Sequence, residues 1–249
     1  MTALITGASS GLGYEFARQL SCKGYDIVAV ARRTDRLLAL SQELCTKVIP
    51  ITADLSKEEE CRRVFELTKD IDIDIVINNA GFGLLGEFSS SELSRELEML
   101  DVNCRAPHIL MKLFLSRFIA DDKGYILNVC SVGSFMPGPL LSAYYAGKAY
   151  LLNLTRAVQE ELRCRGSKVY VGCLCPGPID TEFNYVAKGN AKIKSRSAAD
   201  IAEYSIVKMF KRKPTIIPGT EVKLSALAAK LMPVRLMMRI TYNIQKKKL

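Results

Sequence analysis

The chain of 249 residues contains no tryptophan, one histidine, and eight cysteines of which no two form a Cys-x-x-Cys pair. So few paired ligands argue against a zinc site, and we predict no bound metal. The cysteines are also too few and too scattered for a disulfide scaffold, so we expect reduced thiols and a cytoplasmic protein. No run approaches the roughly 18 consecutive apolar residues of a membrane-spanning helix.

Positive charge is unevenly distributed along the chain. The net charge is +9, and residues 221–249 hold seven basic residues against one acidic residue. This leaves a net charge of about +3 for the rest of the chain. A nucleic-acid-binding surface needs a stronger basic excess, so we predict no nucleic-acid partner.

Short β-branched runs alternate with longer amphipathic stretches over the first 180 residues. This alternation is typical of βαβ units and a parallel sheet. A hydrophobic content of 49%, without a dividing linker or repeat, favours one domain over residues 1–249. We therefore predict an α/β fold: a single-domain, Rossmann-type, doubly wound parallel sheet with helices on both faces. The predicted strands are Thr2–Thr6, Ile27–Ala31, Val48–Thr52, Ile73–Ile77, Gly124–Val129 and Lys168–Leu174.

Helical spacing predicts helices over Tyr14–Lys23 and Asp35–Leu44. Two further helices should begin at capping boxes, in which a serine and a glutamate three residues later satisfy the first N–H groups. These boxes are Ser56 with Glu59 and Ser89 with Glu92.

The region after Thr181 is less regular. Polar and basic residues predict a substrate lid over about 183–197. A helix capped by Ser197 and running to about Arg212 should follow it, and then an edge strand over Pro214–Pro218. A basic amphipathic tail over about 221–249 carries apolar residues at three–four spacing, interrupted by Pro233. Three interpretations of this tail are open: it covers the substrate pocket or a neighbouring subunit, makes a peripheral membrane contact, or frays in solvent.

The strongest local signal is a glycine-rich turn between the first predicted strand and helix. Its sequence is Thr6-Gly7-Ala8-Ser9-Ser10-Gly11-Leu12-Gly13. Glycine permits a tight turn and close backbone approach, and the N–H groups at a helix N-terminus bind anions such as a pyrophosphate. The turn and its context therefore predict a dinucleotide site.

A second signal is a phenol and an amine on one helix face, since Tyr144 and Lys148 are four residues apart. The pKa of a free phenol is near 10, which is too high for acid–base catalysis at neutral pH. A nearby ammonium favours the phenolate and moves this pKa toward the working range. Tyr145 projects about 100° away on the helix, so we expect it to be packed or to line the substrate pocket.

Together with further motifs in the same order, these features resemble the short-chain dehydrogenases/reductases. The turn has G-x-x-x-G-x-G spacing, and the tyrosine–lysine pair begins 13 residues after Ser131. Asn103 lies in the helix before that serine. Two backbone motifs complete the resemblance, which covers about residues 2–183: Asn78-Asn79-Ala80-Gly81 after the fourth predicted strand and Pro176-Gly177 after the sixth.

The resemblance implies hydride transfer between a nicotinamide cofactor and a carbonyl or alcohol. Tyr144 is then the acid/base, and Ser131 holds the substrate oxygen. Lys148 binds the nicotinamide ribose, and Asn103 anchors a water that relays protons. The implied cofactor-binding residues are Gly7, Ser9, Ser10, Gly11, Leu12, Gly13, Arg32, Arg33, Asp54, Leu55, Asn79, Ala80, Gly81, Tyr144, Lys148, Pro176, Gly177, Ile179 and Thr181.

The end of the second predicted strand indicates which dinucleotide binds. An acidic residue there would repel a 2′-phosphate, but this chain has Ala31 followed by Arg32 and Arg33. A guanidinium pairs well with a phosphate dianion, and the Ser9 hydroxyl could add a donor. We predict NADP(H) as the preferred cofactor and NAD(H) as the alternative.

Mostly apolar residues are placed to line the substrate pocket, which suits a hydrophobic ketone or secondary alcohol such as a steroid, acyl chain or aromatic carbonyl. These residues are Ser131, Phe82, Leu84, Phe135, Met136, Leu141, Tyr145 and Phe183.

The predicted protein is an NADP(H)-dependent oxidoreductase that acts on a CH–OH group and forms a homodimer or homotetramer. One alternative is a non-catalytic protein that senses NADP(H) or serves as a scaffold. Another, which changes only the substrate, is a 3-oxoacyl-thioester reductase.

Overall fold

A computed structural model describes residues 1–180, 182 and 195–249 of the chain. Its strands are β1 Thr2–Thr6, β2 Asp26–Ala31, β3 Val48–Thr52, β4 Ile73–Asn78, β5 Tyr125–Val129, β6 Tyr170–Leu174, β7 Ile179–Asp180, β8 Arg196–Ser197 and β9 Thr215–Ile216. Seven of these strands form one parallel sheet in the order β3-β2-β1-β4-β5-β6-β9. Strands β7 and β8 form a separate parallel pair.

Helices cover both faces of the sheet. They are α1 Gly11–Ser21, α2 Thr34–Glu43, α3 Glu58–Leu67, α4 Leu93–Leu100, α5 Ala106–Asp121, α6 Ser142–Cys164, α7 Ala198–Phe210, α8 Thr220–Leu231 and α9 Val234–Lys246. A π-helical turn, Asp101–Arg105, joins α4 to α5, and a 3₁₀ turn, Val132–Phe135, follows β5. The α/β class and the doubly wound sheet are confirmed.

The alternation of side chains along β1 divides the core into two layers. Ala3 and Ile5 pack in the layer that also contains Phe16 of α1 and Leu37 of α2. Leu4 points to the opposite face, where it belongs to the layer that α3 and α5 cover. All five residues of β1 are buried, which is typical of a strand at the centre of a parallel sheet.

The position of β1 also creates the crevice in which a ligand can bind. Strands β2 and β3 lie on one side of β1, and β4 to β6 lie on the other. The connections therefore leave the sheet in opposite directions at the β1/β4 boundary, and a crevice opens beyond the carboxyl ends of these strands. The two strand ends are joined because the Thr6 hydroxyl accepts hydrogen bonds from the Asn79 and Ala80 N–H groups, at 2.9 and 3.0 Å.

A series of buried hydrogen bonds connects the strands at this crevice to helix α6 behind them. Asn78 Nδ2 donates to Asn128 Oδ1 at 2.8 Å, and Asn128 Nδ2 donates to the Thr155 hydroxyl of α6 at 2.9 Å. Asn128 is fully buried. Because β4, β5 and α6 share this chain, the register of the helix is fixed relative to the two strands.

Both predicted capping boxes are wrong. Helix α3 begins at Glu58 with Lys57 as its N-cap, because the Ser56 hydroxyl instead donates to Asp54 Oδ1 at 2.9 Å. Helix α4 begins at Leu93, and its N-cap Glu92 makes no capping bond. The segment before it forms turns, in which the Ser90 and Ser91 N–H groups donate to the Glu87 carbonyl.

The helix capped by Ser197 and the edge strand that follows it are confirmed. Ser197 Oγ accepts a hydrogen bond from the Asp200 N–H at 3.1 Å and caps α7, and β9 is an edge strand of the sheet. The tail forms two helices, α8 and α9, because Pro233 stands between them as the N-cap of α9. Most of the predicted lid lies outside the described residues; its last two residues form β8.

Candidate active site

A cavity of about 440 Å³ lies at the carboxyl end of the sheet. It brings together residues from the glycine-rich turn, the ends of β2, β3 and β4, the 3₁₀ turn, α6 and the segment after β6. The predicted residues that line it are Gly7, Ser9, Ser10, Gly11, Leu12, Arg32, Arg33, Asp54, Leu55, Asn79, Ala80, Gly81, Phe82, Ser131, Leu141, Tyr144, Tyr145, Lys148, Pro176, Gly177 and Ile179.

The glycine-rich turn forms one end of the cavity. Gly7 and Gly11 have φ angles of +69° and +55°, in the region that favours glycine. Gly13 lies behind the cavity and lets α1 approach β1, since a Cβ there would come within 2.2 Å of the Gly7 carbonyl oxygen. Ser10 is the N-cap of α1, and its side chain makes no capping bond. The N–H groups of the first turn are therefore available to an anion.

Beside this turn, two arginines form ion pairs with one carboxylate. Arg33 donates to the hydroxyls of Ser10 and Ser9, at 2.8 and 3.2 Å, and pairs with Glu182 at 2.9 Å. Arg36, which sequence analysis did not single out, pairs with the same carboxylate at 2.6 Å. Hydrogen bonds from Arg36 and Arg33 lower the pKa of Glu182 to about 2. Arg32 also lines the cavity.

The second end of the cavity holds the predicted acid–base pair. The Tyr144 phenol is hydrogen-bonded to Ser131, and the Lys148 ammonium lies 5.9 Å from the centre of the Tyr144 ring. The pKa of Tyr144 is raised overall, because burial raises it more than the bond to Ser131 lowers it. This direction is opposite to the shift that we expected from the nearby ammonium. The 3₁₀ turn fixes Ser131, because its Oγ accepts a hydrogen bond from the Gly133 N–H at 3.0 Å.

Lys148 is almost completely buried. Its ammonium donates to the Val129 carbonyl oxygen at 2.7 Å, and burial lowers its pKa. Gly81 makes room for the ammonium, since a Cβ at that position would lie 3.3 Å from Lys148 Nζ. The lysine is therefore held in place within the cavity wall rather than extended into solvent.

Asn103 lies behind the wall, in the π-helical turn, and does not line the cavity. Its side chain is bonded to one residue: Nδ2 donates to the Phe82 carbonyl at 2.8 Å, and Oδ1 accepts from the Phe82 N–H at 3.1 Å. Asn103 thus fixes the loop after β4. Its role in anchoring a relay water stays a prediction.

Three residues predicted on the substrate side are not among those that line the cavity. Phe135 packs against the core cluster that contains Leu151 and Cys173, because the 3₁₀ turn directs its side chain inward. Leu84 packs against a cluster formed by Phe82, Met99 and Val102. Met136 lies under α9, where its sulfur is 3.9 Å from the Thr241 hydroxyl. Thr181 and Phe183 lie outside the described residues.

The C-terminal tail supplies part of the cavity wall, as one of its three interpretations expected, through residues that sequence analysis did not name. Gln245 and Lys248 both line the cavity. Gln245 is buried, and its Nε2 donates to the Tyr145 hydroxyl at 2.7 Å. Its Oε1 has no hydrogen-bond partner among the described residues. The only sequence signal was the spacing of Met237, Thr241 and Gln245, which places all three on the inner face of the helix.

The described residues contain no cluster of side chains suited to bind a metal ion. Within residues 1–180, 182 and 195–249, no group of three His, Cys, Asp or Glu side chains could hold a metal ion. His108 lies on the surface, where its ring is bonded to the Tyr150 hydroxyl at 2.6 Å.

Known proteins are similar to this chain in sequence and in architecture. A family model described as short chain dehydrogenase matches residues 1–191. A very-long-chain 3-oxoacyl-CoA reductase of Pyrenophora tritici-repentis is 31% identical over 201 residues, which cover 77% of this chain and 58% of that protein. An uncharacterized oxidoreductase of Staphylococcus epidermidis is 30% identical over 208 residues, which cover 82% of this chain and 90% of that protein. This chain thus spans less than two thirds of the length of the first relative.

Two solved structures are similar over almost the whole chain. A short-chain dehydrogenase from Sphingobium yanoikuyae in complex with NADPH is 30% identical, with a TM-score of 0.83, and the match covers 95% of this chain and 94% of that one. The bulky-bulky ketone specific alcohol dehydrogenase from Comamonas testosteroni is 29% identical, with a TM-score of 0.79 and coverage of 95% and 93%. The glycine-rich turn, the Ser131–Tyr144–Lys148 arrangement and these matches agree: the chain belongs to the short-chain dehydrogenase family.

Proposed function

We propose that this chain is an NADP(H)-dependent oxidoreductase that interconverts a carbonyl and a secondary alcohol on a hydrophobic substrate. The observation that carries the proposal is the arrangement at one end of the cavity. The Tyr144 phenol is bonded to Ser131 and has the Lys148 ammonium 5.9 Å from its ring centre. The opposite end carries the features of a dinucleotide cradle.

The residues present fit a bound dinucleotide. Gly7 and Gly11 allow the tight turn, and Gly13 allows α1 to pack closely behind it. The uncapped N-terminus of α1 suits a pyrophosphate. Arg33 places a guanidinium beside Ser9 and Ser10, and Arg32 lines the same part of the cavity. Arg36 binds the carboxylate that Arg33 also binds, so the three arginines form a donor set that suits a 2′-phosphate. The similar Sphingobium protein is in complex with NADPH, which also supports NADP(H).

When bound, the nicotinamide ring supplies or accepts the hydride. In the reductive direction Ser131 donates a hydrogen bond to the substrate carbonyl oxygen and holds it near Tyr144. Tyr144 then gives its phenolic proton to that oxygen while the carbonyl carbon receives the hydride, so the product is the alcohol. Lys148 stabilises the phenolate that remains, because an ammonium nearby favours the charged form. In the oxidative direction the same phenolate accepts the proton.

The lining of the Tyr144 end of the cavity supports the proposed substrate class. Phe82, Val102, Leu141 and the ring of Tyr145 present apolar surface, which favours a hydrophobic ketone or alcohol. The similarity to the very-long-chain 3-oxoacyl-CoA reductase of Pyrenophora favours a specific variant, the reduction of a 3-oxoacyl thioester. A panel of steroid, aromatic and 3-oxoacyl-thioester ketones, assayed by NADPH oxidation, distinguishes these substrates.

The decisive variant is Tyr144→Phe. It removes the proton donor and retains the ring, so we expect a loss of about 10³-fold in kcat with NADPH affinity almost unchanged. Tyr150→Phe, on the exposed side of the same helix, is the matched control and should retain full activity. Wild-type protein that binds NADPH but reduces no member of the panel would support the non-catalytic alternative. Full activity of the Tyr144→Phe variant would refute the mechanism.

A further inference from the structure

Helix α8 turns an apolar face toward solvent. Its inner face is formed by Val222 and Ala226, which are buried. On the opposite face Leu224, Leu227 and Leu231 are 66%, 53% and 77% exposed. These three positions follow a spacing of three and four residues, so they form one continuous stripe on the helix. A single exposed leucine is ordinary, but a stripe of three marks a contact surface.

Helix α9 extends the same kind of surface. Its buried residues are Met237, Thr241 and Gln245. Beside them an exposed row, Leu236, Ile240 and Ile244, repeats every four residues. We call the six exposed residues on the two helices, Leu224, Leu227, Leu231, Leu236, Ile240 and Ile244, the outer apolar surface.

The two helices and the residues that follow them also carry exposed positive charge. Of the seven basic residues in 221–249, six are exposed and Lys248 lines the cavity; the exposed ones are Lys223, Lys230, Arg235, Arg239, Lys246 and Lys247. Glu221, the one acidic side chain in this range, pairs with Arg196 at 3.0 Å. None of the seven cations has an ion-pair partner in the part of the chain that the structure describes. Residues 183–194 contain no acidic residue that could neutralise them.

Charge decides between two occupants of this surface. A second copy of the chain would bring the same basic residues against themselves in a two-fold interface, and like charges there are unfavourable. An anionic lipid bilayer instead accepts apolar side chains at its boundary and attracts lysine and arginine to its headgroups. We propose that α8 and α9 form a peripheral docking surface for an anionic phospholipid bilayer.

The dimensions of the helices fit a position in the plane of the membrane. Helix α8 has 12 residues, which gives a length of about 18 Å, and a helix must be about 30 Å long to cross a hydrocarbon core. No helix in the described residues is long and apolar enough to span a membrane. The outer apolar surface can therefore enter only the headgroup region and the outermost part of the acyl chains.

The experiment is cosedimentation of the full chain with vesicles, either of pure phosphatidylcholine or of equimolar phosphatidylcholine and phosphatidylglycerol. We expect binding to the anionic vesicles that is roughly tenfold tighter or more, because each basic residue near such a surface contributes about fivefold. The triple variant Leu224→Ser, Leu227→Ser, Leu231→Ser should bind them roughly tenfold more weakly or worse. The matched control replaces exposed leucines elsewhere: Leu38→Ser, Leu67→Ser, Leu97→Ser.

A second variant, Arg235→Glu with Arg239→Glu, tests the charge without altering the leucines, and thermal unfolding of all variants shows whether they remain folded. Absence of binding to anionic vesicles would overturn the proposal, as would equal binding to both vesicle types. Undiminished binding by the triple leucine variant would also contradict it. If the wild type is a dimer in analytical ultracentrifugation and the triple variant is a monomer, a second copy covers the surface and the proposal is wrong.

Discussion

Glu182 provides the sharpest test of cofactor recognition, because its carboxylate is bonded to Arg33 and Arg36, two of the arginines proposed to bind a 2′-phosphate. The distances are 2.9 Å to Arg33 and 2.6 Å to Arg36. A phosphate that binds these guanidiniums must displace the carboxylate. Since the pKa of Glu182 is lowered to about 2, the competitor is ionised at every practical assay pH. Glu182→Gln removes the competing charge while it preserves the shape of the side chain.

The magnitude follows from the exposure of the pairs. All three side chains are between 41% and 44% exposed, so each pair contributes only about 0.2–1 kcal/mol. Release of two such pairs should tighten NADPH binding by roughly 2- to 30-fold. NADH lacks the phosphate, so its dissociation constant should not change. Titration of NADPH and NADH fluorescence gives both constants, and the absence of tryptophan in the chain removes a competing signal.

A matched control exists on α3, where Glu58 also bridges two arginines, Arg62 and Arg105, away from the cavity. Glu58→Gln should leave both dissociation constants unchanged. The reasoning fails if Glu182→Gln weakens NADPH binding, leaves it unchanged, or tightens NADH binding equally. In the first case the carboxylate would be positioning the arginines rather than competing for them.

Three further predictions concern stability and specificity. Asn128→Ala should lower the free energy of unfolding by about 2–4 kcal/mol, since it leaves Asn78 and Thr155 without their buried partner. Urea denaturation measures this change. The control Asn153→Ala, on the exposed side of α6, should change the free energy of unfolding little. The pKa of Lys148 is lowered in the folded state, so the unfolded chain binds more protons below pH ~10.5 and this lysine destabilises the protein as the pH falls. Relative to Lys148→Met, wild-type stability should therefore rise between pH 7 and 9.5 by at most about 1.4 kcal/mol per pH unit, and equal slopes in urea denaturation would contradict this. Gln245→Leu removes a buried Oε1 that has no described partner and could accept a hydrogen bond from a substrate hydroxyl. The ratio of kcat/KM for a ketone with a distal hydroxyl to kcat/KM for the analogue without it should therefore fall roughly tenfold. An unchanged ratio would exclude a contact between Gln245 and the substrate.

The sequence predicted the parts of the site that are encoded over short distances. The glycine-rich turn, the Tyr144–Lys148 pair and the residues that end β4 each lie within one element or its adjoining loop. Local spacing therefore determines their relative positions, and the predicted cofactor-binding residues among them line the cavity, with the exception of the close-approach residue Gly13.

What the sequence did not predict is brought to the site by the tertiary fold. Glu182 and Arg36 are 146 residues apart, and Gln245 and Tyr145 are 100 apart. No motif connects such pairs, because each residue type is common on helices and loops. The errors in capping have a different cause: Asp54 competes locally for the Ser56 hydroxyl, and a pattern of serine and glutamate alone does not reveal that competitor.

The parallel sheet has a consequence for how the chain acquires its structure. No neighbouring strands in it are joined by a hairpin: β1 pairs with residues 26–30 on one side and with residues 73–77 on the other. Every ladder must therefore close a long loop before its hydrogen bonds form, which is entropically costly and slows folding. During synthesis β1 cannot pair with β4 until residues 73–77 have been made. The unpaired edge of this apolar strand can aggregate with other chains throughout that interval.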